Sequence, residues 1–216
     1  MSGNVSIIIL WHHFNLHSQI SEGYKEMENS FEQAPDHLPE PIDDGAATHL
    51  MGMQLPDISL PATTGKIISL AHYADAFVLY IYPMTGVPGT ALPEGWDDMP
   101  GARGCTPQSC ALRDYYAEIK ALGAELIGLS SQNLTYQQEM AHRLHLTFPV
   151  LSDTDFTLAE KIQLPSFTLN GVRYLKRLTM ICKNGVILAT HYPVFPSTSD
   201  PLWLAKELPK VLNKTV

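Results

Sequence analysis

The run Phe77-Val78-Leu79-Tyr80-Ile81-Tyr82 constrains the fold of this chain more than any other stretch. It is a continuous apolar run of aliphatic and aromatic side chains, the pattern of a strand buried on both faces. Such a strand needs other strands along its edges and helices over its faces, and the residues that follow supply them. Ala111, Leu112, Tyr115, Tyr116, Ile119 and Leu122 recur at helical spacing up to Gly123, a helix-ending glycine. Glu125 to Ser130 is a second apolar strand, Thr135 to His145 a second helix, Phe148 to Leu151 a third strand and Phe156 to Ile162 a short helix. Alternation of this kind implies parallel strands joined across helices. After it the pattern changes. Ser166 to Leu169, Asn170-Gly171 and Val172 to Cys182 read as a hairpin, and Asn184-Gly185 then turns the chain into Val186 to Tyr192. Pro201 to Asn213 reads as a closing helix, kinked at Pro209. The expected class is α/β, a central mixed β-sheet with helices on both faces.

A βαβ half followed by a hairpin and a terminal helix is the thioredoxin-like arrangement. Ahead of it, Leu55 to Leu60 and Lys66 to Leu70 flank Thr63-Thr64-Gly65, a short hairpin signal. Ala34 to Ala47 is rich in Pro, Asp and Glu and reads as an extended leader. We therefore expect a loosely organised extension over residues 1–49 and one domain over 50–216, and a chain starting at Met27 is expected to fold. His12, His13 and His17 have no Cys or carboxylate at ligand spacing and read as a poor metal site.

Composition narrows the function. A formal charge of -8 with no Lys/Arg cluster disfavours nucleic acid and anionic lipid as partners. No apolar run approaches the roughly 20 residues of a membrane span. The apolar patch Ile7 to Trp11 has no basic residue before it and is followed by two histidines, so it fails as an export signal. Three cysteines, Cys105, Cys110 and Cys182, are too few for a secreted disulfide framework. The expected compartment is the cytoplasm, where a close Cys pair is catalytic or metal-binding more often than structural.

The informative segment is Gly104-Cys105-Thr106-Pro107-Gln108-Ser109-Cys110-Ala111-Leu112-Arg113-Asp114. It follows the central strand and the Gly/Pro-dense loop from Pro83 to Gly104, and it opens a helix. Pro107 has no N–H to donate and fits only a first helical turn, which puts Cys105 at the helix start with Thr106 as the expected cap. Free amides and the helix dipole favour an anion there, and the thiolate is the nucleophilic form of cysteine.

This segment resembles the peroxiredoxin family, in particular its PrxQ type, whose members carry Pro-Gly-Cys-Thr-x-x-x-Cys followed by Arg-Asp. A second motif lies far along the chain: Arg177-Leu178-Thr179-Met180-Ile181 ahead of Asn184-Gly185 is similar to the family's Arg-x-Thr strand. The resemblance runs from about Leu50 to the end. It implies that Cys105 attacks a hydroperoxide, that Cys110 resolves the resulting sulfenic acid as an intramolecular disulfide, and that Arg177 stabilises thiolate and peroxide. It also implies hydrogen peroxide or an alkyl hydroperoxide as substrate, a thioredoxin-like or glutaredoxin-like reductant, a monomer or weak homodimer, and no metal, haem or flavin. The chain departs from the family in two respects. Pro83 stands 22 positions before Cys105, with an insertion between them, and Ala102 occupies the position of the family's hydroxyl. Thr85 is the preferred replacement and Thr106 the other.

The remaining candidates have plainer readings. Arg103 is a second cation close to Cys105, although loop arginines are usually solvated. Cys182 alternates with Leu178 and Met180 and reads as a core residue. His142 and His145 suit a surface face, while Trp96 and Trp203 suit packing. Two other functions stay open on the same residues: a thioredoxin-like disulfide oxidoreductase, which would favour Cys-x-x-Cys spacing, and a redox-sensing or binding module without turnover.

Overall fold

The computed structural model describes residues 38–88 and 90–213. The readings of His12, His13, His17, Ile7 to Trp11 and Met27 fall outside them. The central sheet has five strands. They are β3 (Ala76–Ile81), β4 (Ala124–Ser130), β5 (Val150–Ser152), β8 (Leu178–Lys183) and β9 (Val186–His191), in the order β5-β4-β3-β8-β9. β3 runs parallel to β4, and β4 to β5, while β8 is antiparallel to both β3 and β9. The sheet is therefore mixed, with the apolar run at its centre and all six β3 residues buried.

Two two-stranded sheets flank it. β1 (Ser59–Pro61) pairs with β2 (Ile67–Ser69), shorter than the expected hairpin, and Ala62 bridges to Leu151 at the sheet edge. β6 (Ser166–Leu169) pairs with β7 (Val172–Leu175). Both Asn-Gly turns place both residues at positive φ, 52° and 76° at Asn170-Gly171 and 52° and 73° at Asn184-Gly185, the combination that suits a two-residue hairpin. The stretch from Val172 to Cys182 is not one strand. It breaks at Lys176-Arg177, where the chain leaves the small sheet after the Lys176 amide bonds the Pro165 carbonyl at 2.8 Å and enters the central one.

The helices are α1 (Cys105–Asp114), α2 (Tyr116–Ala121), α3 (Leu134–Arg143), α4 (Thr157–Lys161) and α5 (Asp200–Leu212). The single helix expected up to Gly123 is two, divided at Tyr115. The break sets Tyr116 edge-on against Phe148, ring centres 5.4 Å apart. Asn133 caps α3 by accepting from the Tyr136 amide at 2.9 Å. Pro209 lies inside α5, which continues through it.

Side-chain alternation on β3 separates two cores. Phe77, Leu79 and Ile81 join Leu129, Met180, Cys182 and α4's Leu158 and Ala159 on one face. Tyr80 and Tyr82 face the other way, toward Ser109 of α1 and Gln137 of α3. Helices thus cover both faces. Cys182 is fully buried, as its alternation implied, and burial pushes its thiol far above the ordinary range.

Tyr80 lies across its partner Gly128 on the neighbouring strand. A Cβ at Gly128 would stand 2.9 Å from the ring, so this position has no room for a side chain. Gly128→Ala is expected to cost about 1–3 kcal/mol, as overpacking in a tight core does. The denaturant midpoint measures it, and a midpoint equal to the wild type would show that the ring yields freely.

The domain boundary expected at residue 50 is too late. Ala47 and Leu50 are both in the core. Asp44 accepts from Lys176 Nζ at 2.6 Å and from the Tyr192 hydroxyl at 2.8 Å. Those two bonds hold its carboxyl well below the usual range, at about 2. The polar composition of this stretch conceals its packing, because it is fastened by two apolar side chains and one clasp rather than by periodic contacts.

Candidate active site

Cys105 is the first residue of α1 and is only 3% exposed. The cap is Gly104 and not Thr106, because the entry into the helix uses a left-handed residue, φ 101°. Only glycine serves there: a Cβ would fall 2.4 Å from Ser197 Oγ. Pro107 sits in the first turn as its missing donor requires, and the first full helical bond runs from the Gln108 amide to the Gly104 carbonyl at 2.9 Å. The amides ahead of it have no helical acceptor and face the sulfur's end of the helix.

Arg177 comes from the far end of the sequence, at the break between β7 and β8, and is also 3% exposed. Its Nη2 donates to Cys105 Sγ at 3.2 Å. The same nitrogen lies within hydrogen-bond range of three successive carbonyls, Gly101 at 3.3 Å, Ala102 at 3.4 Å and Arg103 at 2.9 Å. Nη1 donates to Gln108 Oε1. The Cys105 thiol donates to the Ala102 carbonyl at 3.5 Å. Loss of that proton leaves the sulfur facing a guanidinium and a helix start, both of which favour negative charge.

Cys110 lies on the same helix and is buried, at 7% exposure. Burial pushes its thiol up, so it stays protonated. All three cysteines are free. Thr85 is buried, but its N–H and hydroxyl both donate to Gln132 Oε1, at 3.0 and 3.2 Å, and Gln132 Nε2 returns a bond to the Thr85 carbonyl. That pairing engages the hydroxyl's proton at the end of the central strand. Thr106 is half-buried in the first turn of α1, beside Cys105. The side chain of Arg103 pairs with Asp97, and only its carbonyl serves the site. Among the described residues no group of three ligand side chains could hold a metal ion.

The spacing of motifs did not point to the residues behind Arg177. Gln108 Nε2 donates to Asp200 Oδ2 at 2.7 Å, Thr179 Oγ1 donates to the same oxygen at 2.9 Å, and His191 Nδ1 lies 2.9 Å from Asp200 Oδ1. Gln108 stands one helical turn after Cys105, a signal present in the sequence. Asp200 precedes a helix-opening proline and is indistinguishable there from an ordinary first-turn carboxylate. His142 and His145 are exposed, and Trp96 packs with Ala102 and Tyr174 in a small core between the loop and the β6–β7 hairpin.

On the outer side of Arg177 lies a cleft of about 470 Å³. Ile42, Met99, Phe167, Tyr192 and Val194 give it apolar walls, and Glu40, Arg177 and the ion pair of Lys176 with Asp44 complete its rim.

A buried thiol at a helix start, after the central strand of a mixed sheet and against an arginine just ahead of a late strand, defines a thioredoxin-fold thiol protein. The chain belongs to the Redoxin family, which it matches over residues 50–204. It is 31% identical over 133 residues to the chloroplastic peroxiredoxin Q of Triticum aestivum, covering 61% of this chain and 54% of that one. It is 31% identical over 137 residues to the protein of the same name from Arabidopsis thaliana, covering 63% and 56%. The match thus spans a little over half the length of these curated relatives. Among solved structures, peroxidoxin BcpB of Mycobacterium tuberculosis superposes with a TM-score of 0.60 at 23% identity, over 77% of this chain and 98% of that one. Bacterioferritin comigratory protein of Xanthomonas campestris superposes at 0.57 with 20% identity, over 82% and 98%. At such identities these two establish the fold, which is thioredoxin-like as expected.

Proposed function

We propose that this chain is a thiol peroxidase that reduces hydrogen peroxide or alkyl hydroperoxides. The observation that carries the reading is the 3.2 Å contact from Arg177 to the sulfur of Cys105 at the first residue of α1. The Cys105 thiolate attacks the terminal peroxide oxygen and the O–O bond breaks. The departing oxygen takes up a proton and leaves as water or an alcohol, and the sulfur is left as a sulfenic acid. Arg177 and the first amides of α1 meet the charge that develops. Cys110 then attacks the sulfenic sulfur, water leaves and a disulfide closes. An external dithiol protein of the thioredoxin or glutaredoxin type restores both thiols.

The apolar cleft beside Arg177 suits the tail of an organic hydroperoxide. The Xanthomonas protein that shares this fold is described by its alkyl peroxide reduction activity. A thioredoxin-like disulfide exchange fits less well, since the two sulfurs stand on successive turns of one regular helix and not side by side.

Intact mass after one equivalent of peroxide tests the reading. The wild type should lose two hydrogens. Cys110→Ser should gain one oxygen, on Cys105, as a sulfenic acid that dimedone traps. Absence of any adduct at Cys105 would remove the assignment.

A further inference from the structure

The arginines other than Arg177, namely Arg103, Arg113, Arg143 and Arg173, each pair directly with a carboxylate. Arg177 is the most deeply placed of these side chains in the site, yet it has no such pair among the described residues. A buried cation without a compensating charge is costly. Compensation is present one amide away. Gln108 lies between Arg177 and Asp200, with its oxygen on the guanidinium and its nitrogen on the carboxylate. A guanidinium only donates and a carboxylate only accepts, so the neighbours determine which way round the amide sits.

We propose that Asp200, at the start of α5, is a positioning residue for the Cys105–Arg177 pair, acting through the Gln108 amide. The inference rests on Cys105 being the attacking thiol. Asp200 is 0% exposed and both its oxygens are engaged, Oδ1 by His191 and Oδ2 by Gln108 and Thr179. Its place in the first turn of a 13-residue helix also favours its charge. Held from three sides, the carboxylate keeps the amide nitrogen turned toward itself and the amide oxygen turned toward Arg177. A carboxylate placed directly on Arg177 would compete with the thiolate for the guanidinium. A neutral amide holds the cation in place and leaves its charge to the sulfur. Thr179, in β8, follows Arg177 by two residues and its hydroxyl reaches Asp200, so the Arg-x-Thr pattern joins the cation to a residue that holds the carboxylate.

The test exploits a difference of sign. As a mere buried anion, Asp200 would disfavour a nearby thiolate, and its removal would move Cys105 ionisation to lower pH. As a positioning residue its loss frees the amide, releases Arg177 and moves ionisation to higher pH. Thiolate absorbance is followed against pH for each variant, with the matching Cys105→Ser protein subtracted, and the rate of Cys105 oxidation by peroxide is measured beside it. Asp200→Ala should shift the titration upward by about one pH unit and slow oxidation roughly tenfold. Asp200→Asn keeps an acceptor for Gln108 without the charge, so it should restore the rate and show no upward shift. Gln108→Met cuts the link while leaving Asp200, Thr179 and His191 in place, and should match Asp200→Ala even if that variant fails to fold. A wild-type titration and rate in Gln108→Met, or a downward shift in Asp200→Ala, would overturn the proposal. Failure of the wild type to consume peroxide would instead remove the peroxidase reading, since the titration needs no peroxide.

Discussion

Cys105→Ser is expected to abolish peroxide consumption, with a loss of at least about a hundredfold, or ~2.7 kcal/mol of transition-state stabilisation. The nucleophile is the thiolate, and a serine hydroxyl does not ionise under the same influences. The substitution is nearly isosteric and keeps an acceptor for Arg177 Nη2, so the fold should be retained and the melting temperature little changed. Neither remaining cysteine is placed to substitute. Cys182 is sealed in the opposite core, and Cys110 is buried and protonated on the second turn of α1. Peroxide consumption measured with a regenerating dithiol, alongside thermal unfolding, checks both halves. Residual turnover above about one per cent with an intact fold would end the assignment.

Oxidation is expected to melt the start of α1. Both cysteines lie on this one helix, Cys105 at its first residue. Five residues of regular helix separate their Cα atoms by about 8–9 Å, whereas a disulfide needs about 4.4–6.8 Å. The bond therefore cannot close on the helix as it stands. Unwinding must break the bond from Gln108 N to Gly104 O and pull the Gln108 side chain off Arg177. It should stop near the end of α1, where Arg113 Nη1 holds the Leu144 carbonyl at 2.8 Å and Tyr115 already interrupts the helix. Amide exchange over Thr106 to Leu112 should accelerate by orders of magnitude in the oxidised protein, while Ala76 to Ile81 stays protected. Equal protection of α1 in both redox states would show that Cys110 is structural and that the resolving thiol comes from another molecule.

Much of this was legible in the sequence because it rests on local chemistry. The apolar run from Phe77 declares a central strand, two Asn-Gly pairs declare their turns, and Pro107 limits where a helix can begin. Cys105 and Arg177 were each recognisable in their own motif, and the sheet brings them together. What was not legible depends on meeting partners distant in sequence. Thr85 looked suitable as a hydroxyl near a strand end, but Gln132 engages it, and nothing near Thr85 in the sequence signals that. Arg103 stood beside Cys105 in the chain, yet Asp97 holds its side chain. Asp200 resembles any helix-opening carboxylate until Gln108, Thr179 and His191 converge on it. The segment around Asp44 reads as a leader, because its hold on the domain is one polar clasp and two apolar side chains rather than a periodic face.

Three main-chain carbonyls, of Gly101, Ala102 and Arg103, hold the guanidinium of Arg177. A carbonyl is the same group whichever residue bears it, so selection acts here on the path of the chain and not on its letters. Drift at position 103 can leave the electrostatics of the sulfur untouched, provided the path survives, whereas Ala102 is also held by its packing against Trp96 and Tyr174. The neighbouring glycines are bound more tightly to their identity: Gly104 has Ser197 where a side chain would go, and Gly101 turns at φ 74°. A comparison of relatives by residue identity will therefore undercount what this loop contributes. Shape would be preserved there between chains whose sequences show no trace of it.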